Sequence, residues 1–290
     1  MKQILVTGAA GFIGYHLTAK LTSHGHQVLG VDNLMPYYDV NLKTSRLNAL
    51  GIIPASIAEG EISASTLIPG FRFLRADLAD RKSTDALFKE NGFSHVIHLA
   101  AQPGVRESIR NPYTYIDSNI NGLITVLEGC RHNLPNHLIM ASSSSVYGNN
   151  DKVPFSESDP VDHPVSLYAA TKKSGELMAY TYAHLYGIPT TALRFFTVYG
   201  PWGRPDMAYY KFVRAIDRGE TIEVYNDGDL YRDFTYVDDI VDAITRLIDN
   251  APTATPPYSV LNIGNSSPVQ LMEFIETIES LLGKSASIKY

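Results

Sequence analysis

Ile4-Leu5-Val6-Thr7-Gly8-Ala9-Ala10-Gly11-Phe12-Ile13-Gly14 starts as an apolar run and breaks into glycines spaced three apart. An apolar run with no polar alternation reads as a strand buried on both faces, the kind found in parallel sheets. The glycines allow a tight turn, a close approach of backbone to a pyrophosphate, and close packing of helix on strand. The helical pattern that follows through Leu21 then turns free N–H groups and a partial positive charge toward the phosphates. Strand, glycine turn and helix together set the fold as α/β, with Gly8, Gly11, Phe12, Ile13 and Gly14 as candidate nucleotide contacts.

The next strand, Gln27-Val28-Leu29-Gly30-Val31, ends on Asp32-Asn33. A carboxylate there can hold the adenosine ribose hydroxyls and would repel a 2′-phosphate, so the expected cofactor is NAD rather than NADP. Phe71-Arg72-Phe73-Leu74 reads as a third strand whose end, Asp77-Leu78, meets the adenine edge. A fourth, His95-Val96-Ile97-His98-Leu99, runs into Ala100-Ala101-Gln102, small residues where a strand end must pass close to a cofactor. His98 is expected to be a hydrogen-bonded core histidine, and no cluster with metal-ligand spacing accompanies it. Strands at His137–Ala141 and Thr190–Phe195 continue the βα alternation, giving a doubly wound, mostly parallel sheet.

Composition limits what such a fold does. The chain has 290 residues, 44% apolar and 19% charged, enough for one large α/β domain and a smaller lobe. A net charge of −6 leaves no basic surface for nucleic acid. The single cysteine, Cys130, cannot form an internal disulfide, which fits a reducing, cytoplasmic setting. No stretch approaches the roughly 20 apolar residues of a membrane span, and a strand beginning at Ile4 leaves no room for a signal peptide.

After Phe196 the alternation stops. Pro201, Gly203 and Pro205 mark a loop, followed by a helix at Tyr209–Arg218, a strand at Ile222–Tyr225 and a helix at Asp238–Ile248. A strand at Val260–Ile263 and a helix at Val269–Leu282 come last. Residues 1–195, with 233–250 returning, are assigned to the nucleotide domain, and 196–232 with 251–290 to the smaller substrate lobe. The Ile52–Gly70 stretch reads as a surface insertion. Two helices, one through Ile116, Ile120, Leu123 and Leu127 and one through Leu177, Met178, Tyr182 and Leu185, are apolar beyond one stripe. Each must bury a second face, against a partner subunit or another part of the chain.

Tyr168 and Lys172 stand one helical turn apart. A free phenol, with a pKa of about 10, is a poor base at neutral pH, and a nearby ammonium favours the phenolate.

Joined together, Gly8-x-x-Gly11-x-x-Gly14, Asp32, Asp77-Leu78, Ser142-Ser143-Ser144-Ser145-Val146-Tyr147-Gly148 and Tyr168-x-x-x-Lys172 resemble the extended short-chain dehydrogenase/reductase family, with its Rossmann domain. Within it, Ala100–Arg106, Tyr115–Asn119, Leu193–Met207 and Arg232–Thr235 are most similar to the nucleotide-sugar 4-epimerases that act on UDP-glucuronate. That resemblance implies an isomerase in which Tyr168 takes the proton of the sugar 4-hydroxyl, Lys172 supports it, and Ser143 bonds the reacting oxygen. It implies that Leu99, Ala100, Ala101, Gln102, Asn119, Ser142, Phe195 and Val198 join the glycines, Asp32, Asn33, Asp77 and Leu78 in holding NAD. It also implies a carboxylate subsite of Ser143, Ser144, Ser145, Thr197 and Arg204, with Arg106 close by. Lys211 and Phe212 would lie near the uracil and Arg232 would meet the diphosphate, with Val224 and Tyr225 also in the substrate site. A guanidinium suits a carboxylate because it offers two parallel hydrogen bonds. A homodimer is implied as well.

The serines separate relatives. UDP-glucuronate decarboxylases carry Glu before the Val-Tyr-Gly, where Ser145 stands, and sugar 4,6-dehydratases need an Asp-Glu pair that Ser144-Ser145 cannot supply. A 4-epimerase of neutral UDP-hexoses or UDP-N-acetylhexosamines would share Tyr168, Lys172 and the serines. A non-catalytic NAD-binding protein would need only the glycine loop and Asp32. Relatives continue past Ser287-Ile288-Lys289-Tyr290, so part of the substrate lobe is expected beyond it. Glu107-Ser108 stand where close relatives often carry an aromatic residue.

Overall fold

The computed structural model describes residues 1–290, apart from the side chain of Ser56. Strands β1 (Gln3–Thr7), β2 (Gln27–Asp32), β3 (Ile62–Ala64), β4 (Phe71–Arg75), β5 (His95–His98), β6 (His137–Ser143), β7 (Thr190–Phe195), β8 (Thr197–Tyr199), β9 (Thr221–Glu223), β10 (Tyr231–Tyr236), β11 (Tyr258–Ile263), β12 (Pro268–Gln270) and β13 (Ser287–Lys289) occur in chain order. The chain forms two compact units, Met1–Phe195 with Val241–Ile263 and Phe196–Ile240 with Gly264–Tyr290.

The first unit is built on an eight-stranded sheet in the order β11-β7-β6-β5-β1-β2-β4-β3. Every pairing is parallel except β3 on β4. Order reverses about β1, which lies between β2 and β5. A crevice at the carboxyl ends of such strands is where open α/β sheets take their ligands. An apolar cluster fills the core: Leu5, Leu29, Val96, Leu138 and Ala192 from neighbouring strands pack with Leu87, Phe88, Leu123 and Leu127 from helices. Burial on both faces explains why these strands read as continuous apolar runs.

Several readings need correction: 233–240, expected to return to the nucleotide domain, lies in the second unit. Ile52–Gly70 is not wholly a surface insertion, because β3 within it extends the sheet edge antiparallel to β4. A strand of three residues is too short to show a period. The assignment of 251–290 to the substrate lobe fails for Tyr258–Ile263, which pairs with β7 from Tyr258↔Thr190 to Ile263↔Phe195. Its apolar residues announce a strand, but not which sheet receives it.

In the second unit β10 lies between β8, parallel to it, and β12, antiparallel. Val269 and Gln270, read as the start of a helix, belong to this strand, Pro268–Gln270, and the helix begins at Leu271. The parallel pair β9 and β13 packs with helices Ala208–Arg218 and Leu271–Leu282 through Ile216, Ile222, Val224, Ile275 and Ile278. Among the described residues no helix is long and apolar enough to cross a membrane.

Candidate active site

The glycine turn is held by its own backbone. Gly8 N–H donates to Val31 O at 2.7 Å and Gly11 N–H to Gly8 O at 2.9 Å. A Cβ on Gly14 would lie 2.1 Å from Gly8 O and 2.9 Å from Ala9 Cα, so only glycine lets helix Phe12–Ser23 start this close to the turn. Gly11 is its N-cap and offers no side-chain acceptor to the first turn. An uncapped N-terminus over a cradle that a Cβ would fill fits a dinucleotide pyrophosphate. Phe12 is buried beside it, and Ile13 is half-buried.

At the end of β2 the Asp32 carboxylate is buried. Its Oδ1 accepts from Leu34 N–H at 2.8 Å and from Lys43 Nζ at 3.3 Å, and Oδ2 takes part in neither bond. Asn33 donates to Asp77 Oδ2 at 3.2 Å, joining the ends of β2 and β4, while Leu78 is buried next to it. Lys43 was not foreseen. It lies on helix Val40–Ala49, whose polar sequence gives no sign that this side chain folds back onto the strand end.

The β5 end is pinned to β1 and, through Asn119, to helix Leu167–Tyr186. Thr7 Oγ1 accepts from Ala100 N–H at 3.1 Å and meets His98 Nδ1 at 2.9 Å. The Thr7 hydroxyl keeps a second lone pair beside the one Ala100 uses, so this bond suits either neutral tautomer of His98. Burial, then the positive charge of Lys172, pushes its pKa down to about 3, in keeping with a core histidine. Ala101 is half-buried and Leu99 closes on Thr7 O through its N–H. Asn119 accepts from Gln102 N–H at 2.7 Å and donates to Gln102 O at 3.1 Å and Thr171 Oγ1 at 3.0 Å. It sits in a π-helical turn, Asp117–Asn121, and such turns concentrate at functional sites.

Helix Leu167–Tyr186 starts with the Ser166 hydroxyl accepting from Ala169 N–H. Tyr168, in its first turn, is half-buried and meets the buried Tyr115 ring edge-on at 6.3 Å. Lys172 Nζ lies 6.0 Å from the Tyr168 ring centre and donates to Ala141 O at 2.8 Å. Burial lowers its pKa to about 8, against the opposing pull of Glu176, so the lysine is mostly a cation at neutral pH. At the end of β6, Ser143 is buried, donates to Ser145 Oγ at 3.1 Å and accepts from Ser145 N–H. Ser144 and Ser145 are half-buried, and the Ser142 hydroxyl is directed to Glu176. Phe195 is buried at the end of β7.

A family model described as the NAD dependent epimerase/dehydratase family matches residues 4–264. The chain belongs to this family. It is 54% identical to an uncharacterized 37.6 kDa protein of Escherichia coli O111:H-, over 98% of this chain and 84% of that one. It is 47% identical to a probable UDP-glucuronate 4-epimerase of Rhizobium meliloti, over 98% and 83%. Among solved structures, the UDP-glucuronic acid 4-epimerase of Bacillus cereus in complex with UDP-glucuronic acid and NAD superposes with a TM-score of 0.86 at 33% identity, covering 99% of this chain and 85% of that one.

The remaining candidates of this epimerase-family chain fall in the second unit, save Arg106, which is exposed before the short helix Glu107–Arg110 of the first. Thr197 pairs with Phe234 in the β8–β10 ladder, and Val198 is buried beside it. Arg204 forms a two-pronged bond to Asp206, Nε to Oδ1 at 3.0 Å and Nη2 to Oδ2 at 2.5 Å. Sequence reading missed this pairing, although a carboxylate two residues from the arginine was visible. Lys211 is exposed, Phe212 and Val224 join the apolar cluster of the unit, and Tyr225 and Arg232 are exposed. Among the described residues no group of His, Cys, Asp and Glu could hold a metal.

Proposed function

We propose that this chain interconverts UDP-glucuronate and UDP-galacturonate by 4-epimerisation with NAD. The observation that carries the reading is the hydroxyl run Ser143-Ser144-Ser145 at the end of β6, which supplies donors for a carboxylate and no acid/base carboxylate of its own. Relatives named for this activity over nearly the whole chain support it.

Bound NAD supplies reversible two-electron redox chemistry at C4, held by the Gly8–Gly14 turn, Asp32 and Lys172. Tyr168 takes the 4-hydroxyl proton as general base and returns it at the end of the turnover. The Lys172 cation stabilises the phenolate while it forms, and the Ser143 hydroxyl orients the reacting oxygen. A 4-keto uronate has its carboxylate β to a ketone, poised to leave as carbon dioxide. Ser144, Ser145, Thr197 and Arg204 are assigned the task of holding that carboxylate where departure is disfavoured. Uracil is assigned to Lys211 and Phe212 and the diphosphate to Arg232, with Val224 and Tyr225 also in the substrate site. A neutral-sugar 4-epimerase is the second reading, since relatives of known structure include UDP-glucose 4-epimerases.

We also infer a homodimer. Helices Pro112–Ile116, Gly122–His132 and Leu167–Tyr186 pack together and leave Tyr113, Ile116, Leu177 and Tyr180 exposed. Such a face on adjacent helices needs a cover.

The function is tested by incubating the protein with UDP-glucuronate, without added NADH, and following products by NMR. UDP-galacturonate and no pentose is the expected result. A UDP-pentose, or turnover of UDP-glucose alone, overturns it.

A further inference from the structure

One helical turn after Lys172 stands Glu176, only 3% exposed. Its Oε1 accepts from the Ser142 hydroxyl at 2.6 Å and from Arg194 Nε at 2.9 Å, and Oε2 accepts from Arg194 Nη2 at 2.9 Å. Arg194 Nη1 donates to the Tyr147 hydroxyl at 3.1 Å, which in turn donates to Asn262 Oδ1 at 2.6 Å. Ser142, Arg194 and Asn262 are register partners across β6, β7 and β11. A single carboxylate on the catalytic helix therefore fastens the carboxyl ends of adjacent strands, one of which carries Ser143 as its next residue.

We propose that Glu176 is a positioning residue that, through Ser142 and Arg194, sets the register of Ser143 against Tyr168 and Lys172. The inference rests on the reading of those groups as the reacting constellation. Stability alone is a weak reason for the pair, because a buried ion pair is often matched by apolar residues of similar volume. What an apolar pair lacks is direction: three donors converge on two oxygens, so helix and strands have one mutual setting. The same carboxylate bears on the lysine charge. The other titratable groups around Lys172 and Glu176 are Tyr168 and Lys173 on the helix, His98 of β5, Arg194 of β7 and Tyr258 of β11, and none of these is a carboxylate. The Glu157 carboxylate, further along the network, is engaged by the Asn262 N–H.

The test compares Ser142→Ala, Ser142→Thr and Glu176→Gln in the full chain with NAD, measuring kcat and KM against pH, bound NAD and thermal unfolding. Turnover is read on whichever UDP-sugar the unaltered protein epimerises, so a wrong sugar assignment shows in the unaltered protein and leaves the variant ratios intact. Ser142→Ala should lower kcat about tenfold, since misplacement by a fraction of an ångström is costly to a reacting geometry, with KM for the UDP-sugar within twofold. Ser142→Thr should restore most of it. Glu176→Gln should also move the basic limb of the kcat profile to lower pH, because Lys172 loses the anion that favours its cation. Normal kcat in Ser142→Ala overturns the proposal, as does a loss confined to NAD retention. So does an unmoved basic limb in a folded Glu176→Gln protein.

Discussion

Asp206→Asn should tighten the binding of UDP-glucuronate. In the structure the Arg204 guanidinium is bound by the Asp206 carboxylate through two hydrogen bonds, with both side chains 23% exposed. If Arg204 receives the uronate carboxylate, the substrate must first displace or share with Asp206. A hydrogen bond to a charged group contributes about 1.5–3 kcal/mol, and solvent screening at this exposure reduces the competing pair to about 1 kcal/mol. At tenfold per 1.4 kcal/mol, removing the competitor lowers KM for UDP-glucuronate about fivefold. UDP-glucose has no carboxylate at C5, so its KM stays put. The assay is steady-state epimerisation of both sugars by wild type and variant, with thermal unfolding to show that the fold is kept. An unchanged KM for UDP-glucuronate, or equal shifts for both sugars, would refute the assignment of Arg204 to the carboxylate.

Tyr168→Phe should retain NAD and lose about 10²–10⁴ in kcat, the usual contribution of a general base; wild-type turnover sinks the proton-transfer role. Gly14→Ala places a methyl 2.1 Å from a backbone oxygen that has no room to yield. Calorimetry should show NAD affinity falling about five- to a hundredfold with the far-UV spectrum kept, since overpacking of this kind costs about 1–3 kcal/mol, and retained affinity would contradict the close-approach argument. Leu177→Glu puts a charge on the exposed apolar helix face and should shift light scattering from dimer to monomer. A monomer before substitution would remove the basis for that interface.

Much of the site was legible because its chemistry is local. Gly8, Gly11 and Gly14 lie within one turn, Asp32 ends the next strand, and Tyr168 and Lys172 are one helical turn apart, so strand and helix periods alone bring each set together. The Ser142–Ser145 run was visible for the same reason, being contiguous at a strand end. Lys43 on Asp32 was not, since an ion pair across eleven residues requires a helix to fold back over its preceding strand. Arg204 stood out as a candidate, but its engagement with Asp206 did not, because neighbouring charges on a loop have many geometries.

The sequence by itself determined the α/β class, the order of the parallel strands along the chain, the NAD signature and the placing of Tyr168 and Lys172 one helical turn apart. These follow from covalent spacing and from which runs are apolar enough to be buried on both faces. Only the tertiary structure decided that Tyr258–Ile263 completes the large sheet beside β7, that Ile62–Ala64 forms its far edge, and that Ser142 is bonded to Glu176. Sheet membership is a choice among edges that present the same backbone donors and acceptors, and burial settles it only when all the layers are in place. The Glu176 network joins residues 34 and 18 positions apart in the chain, so no local period could bring them to notice.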